Sequence, residues 1–433
     1  MHMFEQDMQK SELKRVLGKW SLTAIGIGAI IGGGVFVLTG TAAHYHAGPA
    51  LALSFVIAGI GCIFAALCYA EFAAMLPVEG SAYAYAYGTV GELFAWIIGW
   101  GLILEYAMGA MTVAVSWSGH FNKLLHLFGL HLPENLTNDP VTFGGAAVNL
   151  PALVIVWFVT WILVKGIKEA ASANNLIVVL KVAVILFVII MGAFYIDVAN
   201  WTPFIPENTG EGEFGIDGIM RAASIVFFAY IGFEAVSTAG QEAKDPKRDM
   251  PFGIIGSLVV CTVIYMLVAA IMTLLVPYAS LNVPDPVAVV VDSFGPQWSW
   301  LAKTIKVGAI IGLTSVVLVL MYAQTRIFYT MARDGLLPKI FSKVHPKFHT
   351  PYINTLLVGT ITAVAAGFFD INVLGDMTSV GTLAAFAIVC LSVIYLRRAA
   401  PELPRGFSVP LYPLTPILGI LSCLYLIESL PKH

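Results

Sequence analysis

Charge is scarce in this chain. Only 11% of its 433 residues are Asp, Glu, Lys or Arg, against 58% hydrophobic, where an ordinary soluble domain carries about 25% charged residues. With a mean hydropathy of +0.85, that shortage excludes a globular domain on one anchor and leaves a polytopic membrane protein. The net charge of -3 offers no basic surface for nucleic acid. Cysteine is rare too. Cys62, Cys68, Cys261, Cys390 and Cys423 all stand inside apolar stretches and read as small hydrophobes, not as a disulfide or metal framework. There is no Cys-x-x-Cys and no phosphate-binding loop ending in Lys and Ser/Thr. ATP-driven transport, a metal centre and a cofactor are therefore not expected. No nucleophile–base constellation marks an enzyme.

Long apolar runs are what the chain has in excess. Eleven approach the ~20 residues that cross the hydrocarbon. They are 21–44, 48–76, 88–118, 147–167, 172–196, 217–240, 252–277, 301–330, 352–369, 377–396 and 410–430, numbered here spans 1 to 11. The first exceeds the roughly 7–15 apolar residues of a signal peptide, so it is expected to be retained. Lys and Arg crowd the N-terminal tail (1–20) and the loops after spans 4, 6, 8 and 10. The alternate loops hold little beyond Lys123, and the loop 197–216 is acidic. That alternation predicts a multi-pass protein of the cell membrane with a cytoplasmic N-terminus.

Within span 1 the residues Gly26-Ile-Gly28-Ala-Ile30-Ile31-Gly32-Gly33-Gly34-Val35-Phe36 stand out. Glycine costs about 0.8–1.0 kcal/mol relative to alanine in a helix interior. Lipid offers no substitute for lost backbone hydrogen bonds, so a broken helix at membrane depth is tolerated only where it lines a protein cavity. Close helix packing is the competing explanation, but it suits Gly-x-x-x-Gly spacing better than three adjacent glycines. Span 6 is interrupted as well, at Phe227-Phe228-Ala229-Tyr230-Ile231-Gly232-Phe233-Glu234. Interrupted segments at matching places in two halves point to the binding site of an inverted-repeat transporter. Lys181 lies well inside span 5 and Glu105 inside span 3. Charges at such depth are functional or paired, and a buried lysine can carry a proton.

Further residues carry a resemblance. Tyr69-Ala70-Glu71-Phe72 through Pro77, Gly80-Ser81-Ala82-Tyr83, Gly99-Trp100 with Leu104-Glu105-Tyr106, Phe228 to Glu234, Glu242-Ala243-Lys244-Asp245-Pro246 and Met331-Ala332-Arg333-Asp334-Gly335-Leu336-Leu337-Pro338 follow one another as in a known family. With the glycine run, they make the chain resemble the amino acid–polyamine–organocation transporters, in particular bacterial relatives of the cationic amino acid transporters. The resemblance implies an all-α fold of the leucine-transporter type: a five-plus-five inverted repeat with spans 1 and 6 broken. Residues 21–196 would form the first repeat, 217–396 the second, and 410–433 an additional span and the C-terminal end. Twelve spans are usual in the family, one more than the eleven visible.

It further implies that Gly33 and Gly34, next to Gly32, hold an amino acid carboxylate at a half-helix N-terminus. The carbonyl of Ile30 would face the α-amine. The carbonyls of Phe228 and Ile231, flanking Ala229, would complete that contact, with Phe228 as an aromatic gate. Glu105 and Met321 fall where the family has its side-chain pocket. Lys181 takes the place of the second sodium of sodium-coupled relatives, whereas Thr314 and Ser315 match residues that hold this sodium there. The implied activity is secondary transport of L-amino acids by alternating access, as a proton symporter, with sodium symport or ion-independent exchange as alternatives. A membrane sensor would be a different class of protein, but no loop is long enough for a signalling domain. The implied partners are an alanine-like neutral or a cationic amino acid, protons and membrane lipids.

Overall fold

A backbone surrounded by lipid can satisfy its N–H and C=O groups only within helices or closed barrels, and this chain forms helices. The computed structural model describes residues 15–428 except 33, 76–80, 90, 139, 141–146, 283–285, 296–297 and 369–370, with some side chains, including that of Phe228, also outside the description. Among the described residues there are no strands beyond isolated bridges. Helices occupy every expected span. Span 2 is Leu51–Met75, span 3 Glu92–Leu127, span 4 Leu150–Lys165 and span 5 Ile167–Gly192. Span 7 is Pro246–Leu275, span 8 Ser299–Arg333, span 9 Tyr352–Phe368, span 10 Ile371–Ala399 and span 11 Leu414–Glu428. Six described helical stretches are individually long and apolar enough to cross a membrane, and spans 4, 9 and 11 are shorter apolar helices.

Several helices outrun the hydropathy. Span 3 continues nine residues past 118, through Asn122 and Lys123, and stops only where Gly129 turns left-handed at φ 72°. There the N–H of Leu130 reaches Leu125 O at 3.0 Å and that of Gly129 reaches His126 O at 3.0 Å. This is a glycine helix stop that satisfies the last carbonyls. Hydropathy marks the part of a helix that meets lipid, while capping decides where the helix ends.

Spans 1 and 6 are both broken. In span 1 the helix Lys19–Ile30 gives way at Ile31 and Gly32, and Gly34–Leu38 is wound as a π-helix. In span 6 the helix Gly215–Phe227 passes through a short 3₁₀ turn at Phe228–Tyr230, breaks at Ile231–Gly232 and resumes as a 3₁₀ segment, Phe233–Glu242. Ten residues of 3₁₀ winding is long for a helix type usually seen in three- or four-residue pieces. Extensive packing joins spans 2 and 7, spans 3 and 8, spans 4 and 9, and the first half of span 1 with the second half of span 6. Each of these partners lies five spans from the other. The cysteines are all buried and free.

Polar contacts are concentrated at the end of the bundle where span 6 finishes. Val16 and Leu17 donate to Glu242 O at 3.0 Å each, and Lys244 N–H donates to Leu17 O at 2.8 Å, tying the N-terminal segment to span 6. Glu242 also pairs with Arg326 at 3.0 Å, both side chains buried, and accepts the Tyr322 hydroxyl. Tyr83 donates to Asp334 at 2.8 Å. Glu71 pairs with Arg397 and Arg405 and accepts Val409 N–H at 2.7 Å.

Candidate functional site

The two breaks face each other. A cavity lies between them. Its walls include Ala29, Ile30, Gly32 and Gly34 of span 1, Ala229 and Ile231 of span 6, Glu105, Tyr106, Gly109 and Val113 of span 3, and Val316 and Leu320 of span 8. The rest of the site therefore supplies mostly apolar surface, and the breaks supply backbone.

Glycine is required at these breaks by approach and by conformation. A Cβ on Gly34 would lie 2.6 Å from the Ala229 backbone Cα, so spans 1 and 6 touch main chain to main chain there. Gly232 has φ 123°, which L side chains rarely adopt, and a Cβ would stand 2.7 Å from that of Ala29. Glu234 accepts Gly232 N–H at 2.9 Å and so replaces one bond lost at the break. Tyr265 of span 7 joins the two breaks directly, its hydroxyl lying 2.7 Å from Ile30 O and 3.0 Å from Ala229 O. Asn174 of span 5 donates to Ala24 O at 3.0 Å, bracing the first half of span 1.

Next to the cavity, Lys181 is 1% exposed. Its ammonium donates to Gly28 O at 3.0 Å, Ile31 O at 2.8 Å and Ser315 Oγ at 2.7 Å. Three acceptors satisfy all three N–H bonds of the ammonium. The carbonyls come from the C-terminal end of a half-helix, which carries partial negative charge. Ser315 Oγ also lies 3.0 Å from Gly28 O and 2.8 Å from Gly312 O. Thr314 is turned away: its hydroxyl lies 2.9 Å from Ile310 O of its own helix and accepts Trp117 Nε1–H at 2.9 Å.

Several expected site residues meet at the cavity: Ile30, Gly32, Gly34, Ala229, Ile231 and Glu105 line it. Gly33 and the Phe228 side chain lie outside the described residues. Met321 is fully buried and is absent from the cavity's lining residues, where Val316 and Leu320 of the same helix stand. Sequence reasoning missed Tyr265 and Asn174. Both carried a signal, being hydrogen-bonding side chains inside otherwise apolar spans, which need a partner at that depth. Val113, Val316 and Leu320 carried none, because an apolar residue facing a cavity looks the same in sequence as one facing lipid.

The chain matches the amino acid permease family over residues 17–430. It is 48% identical to the methylthioribose transporter of Bacillus subtilis (strain 168) over 426 residues, 98% of this chain and 90% of that one. It is also 48% identical to the branched-chain amino acid permease BcaP of the same organism over 424 residues, 97% of this chain and 89% of that one. Against cationic amino acid transporter 4, vacuolar, of Arabidopsis thaliana it is 38% identical over 405 residues, 93% of this chain and 66% of that one. All three are named as transporters or permeases, none as an enzyme. With a family match across nearly its whole length, the chain belongs to the amino acid permease family.

Proposed function

We propose that this protein is a secondary transporter that moves neutral L-amino acids with apolar side chains across the cell membrane in symport with protons. The observation that carries the reading is the cavity between the broken spans, with backbone at one side and Val113, Ile231, Val316 and Leu320, beside Glu105 and Tyr106, around the remainder. Free N–H groups after the break at Ile31 and Gly32 suit a carboxylate, and the carbonyl ends of the interrupted helices suit an α-amine. The branched-chain permease among the relatives agrees with an apolar side-chain pocket. Spans 1–5 and 6–10 act as inverted repeats, in keeping with two breaks five spans apart and with the paired packing of spans 2 with 7, 3 with 8 and 4 with 9. The end bearing the Glu242–Arg326 pair faces the cytoplasm with the N-terminus, and that pair closes the inner side until the repeats move. Lipid surrounds the outward faces of the spans.

The coupling role goes to Lys181. Its ammonium already occupies the acceptors that a cation between spans 1 and 8 would use, and Thr314 is committed elsewhere. Both points favour protons over sodium. A second reading is favoured by one observation, the equally identical methylthioribose transporter. A thioether would fit the apolar wall, but a neutral sugar has no use for carboxylate and amine sites. Uptake by the purified protein in liposomes separates the readings. Under an inward proton gradient, leucine, valine and alanine should accumulate, leucine amide should not, and methylthioribose should compete poorly. Accumulation of methylthioribose with no competition from any amino acid would overturn the proposal.

A further inference from the structure

Lys181 has its acceptors around it; the carboxyl group of Glu105, at the cavity, has no counter-ion among the described residues. Glu105 is 4% exposed, lines the cavity, and neither of its oxygens makes a hydrogen bond of normal geometry. Its surroundings supply no cation among the described residues. Glu234 of span 6, at the break, has one oxygen on Gly232 N–H and the other unpartnered. The adjacent Tyr106 lines the same cavity, Tyr69 of span 2 is a further buried titratable group, and Thr382 of span 10 is within hydrogen-bonding reach of Glu105. The buried cations Lys181 and Arg326 are committed elsewhere, Lys181 to span 1 and Ser315, and Arg326 to Glu242.

A carboxylate buried at a mostly apolar cavity without a counter-ion is costly to keep ionised. The site needs one positive charge, and two kinds can reach it. A proton from solvent can sit on Glu105. Alternatively, an ammonium at the end of a substrate side chain can lie against it, since the same cavity holds both Glu105 and the backbone breaks that take the α-groups.

Resting on the reading of the cavity as an amino acid site, we propose that Glu105 is an exchange site where a proton and the side-chain ammonium of a cationic amino acid replace one another. When a neutral substrate binds, Glu105 keeps its proton. When lysine or ornithine binds, the carboxylic acid gives its proton to solvent and the resulting carboxylate pairs with the incoming ammonium. The Glu105 site then carries the same net charge with either class of substrate. One cavity thereby accepts both classes without burying an unpaired charge.

The test compares L-lysine with L-norleucine, which matches its chain length without the charge. Calorimetry of the purified protein in buffers of different ionisation enthalpy reads the protons released. Lysine should release about one more proton than norleucine, so its affinity should weaken about tenfold per pH unit relative to norleucine as pH falls. Glu105→Gln, matched to the parent in elution profile and thermal unfolding, should lose the extra proton and the pH dependence of lysine binding. Equal proton release by the two ligands in the parent overturns the proposal without touching the cavity assignment, as does failure of lysine to bind while norleucine does. Extra proton release that persists in Glu105→Gln also overturns it. If neither ligand binds, the cavity reading itself falls.

Discussion

Lys181 Nζ stands 2.8 Å from the carbonyl of Ile31, the residue at which the first helix of span 1 stops. A side chain from span 5 thus occupies the carbonyl end that the break leaves open, and Ser315 links the same point to span 8. Three elements that transport would have to move relative to one another meet at one ammonium.

Deprotonation would remove the charge that holds this junction and favour its opening. Lys181→Ala should abolish pH-driven accumulation while leaving counterflow of bound substrate. It also leaves the carbonyl of Ile31 short of a donor, while Gly28 O keeps the Ser315 hydroxyl; a buried group left unsatisfied costs about 1–3 kcal/mol, visible as a lowered melting temperature. Sodium-driven uptake at fixed pH, unchanged by Lys181→Ala, would instead assign the coupling site to sodium at Thr314 and Ser315.

Tyr265 tests the junction from the other side. Its hydroxyl bridges Ile30 O and Ala229 O, one carbonyl from each break. Tyr265→Phe keeps the ring and deletes only that bridge. It should weaken substrate binding by about tenfold, the scale of one buried hydrogen bond, and leave the melting temperature little changed if substrate or water takes over the freed carbonyls. Unaltered affinity measured by calorimetry would make Tyr265 a packing residue only.

How much of this was legible follows from which residues carry charge or break rules. Lys181, Glu105 and the glycine run violate what lipid allows, so they announced themselves, and the structure brings Lys181 to the end of the broken helix and Glu105 to the cavity. The eleven apolar spans were legible because hydropathy reports lipid contact. Their ends were not, because capping at residues such as Gly129 is local and independent of hydropathy. The assignment of pocket walls on span 8 depended on helical phase. Thr314 and Ser315 are neighbours in sequence but about 100° apart around a helix, and so they face spans 3 and 1 respectively.

The Glu242–Arg326 pair makes a stability prediction. Both side chains are buried, and Tyr322 shares the carboxylate. Glu242→Gln leaves the guanidinium without its counter-charge and should cost about 3–5 kcal/mol, read as a drop in melting temperature. The double variant Glu242→Gln/Arg326→Met should recover much of that loss, since the two residues act as one unit. Additive losses would mean the pair is not the source of the stabilisation.

Gly34 separates a steric role from a binding role. Even alanine there meets the Ala229 backbone at 2.6 Å, so Gly34→Ala should push spans 1 and 6 apart and weaken binding of every amino acid alike. Gly34→Leu should abolish uptake. A normal rate for Gly34→Leu would remove both the close approach and the carboxylate site.

Specificity rests on span 8, where Leu320 and Met321 are adjacent but point differently. Leu320 lines the cavity opposite Gly109, close enough that a Cβ on Gly109 would lie 3.1 Å from Leu320 Cδ1. Met321 is fully buried. The backbone site reads only the groups common to all amino acids, so side-chain choice depends on the volume these walls leave. Leu320→Ala should open room beside Gly109 and raise the affinity for phenylalanine and lysine relative to alanine. A steric misfit is worth about 1–3 kcal/mol per methylene, so the shift should be tens-fold in a competition assay. Gly109→Ala should do the reverse, pressing on Leu320 and narrowing the range toward alanine. Met321→Ser is the discriminating control. If Met321 only packs, the change lowers the melting temperature and leaves the competition profile as it was. If it instead raises lysine binding while Leu320→Ala does not, the side-chain pocket lies on the Met321 face of span 8, and the cavity described here is not where specificity is set.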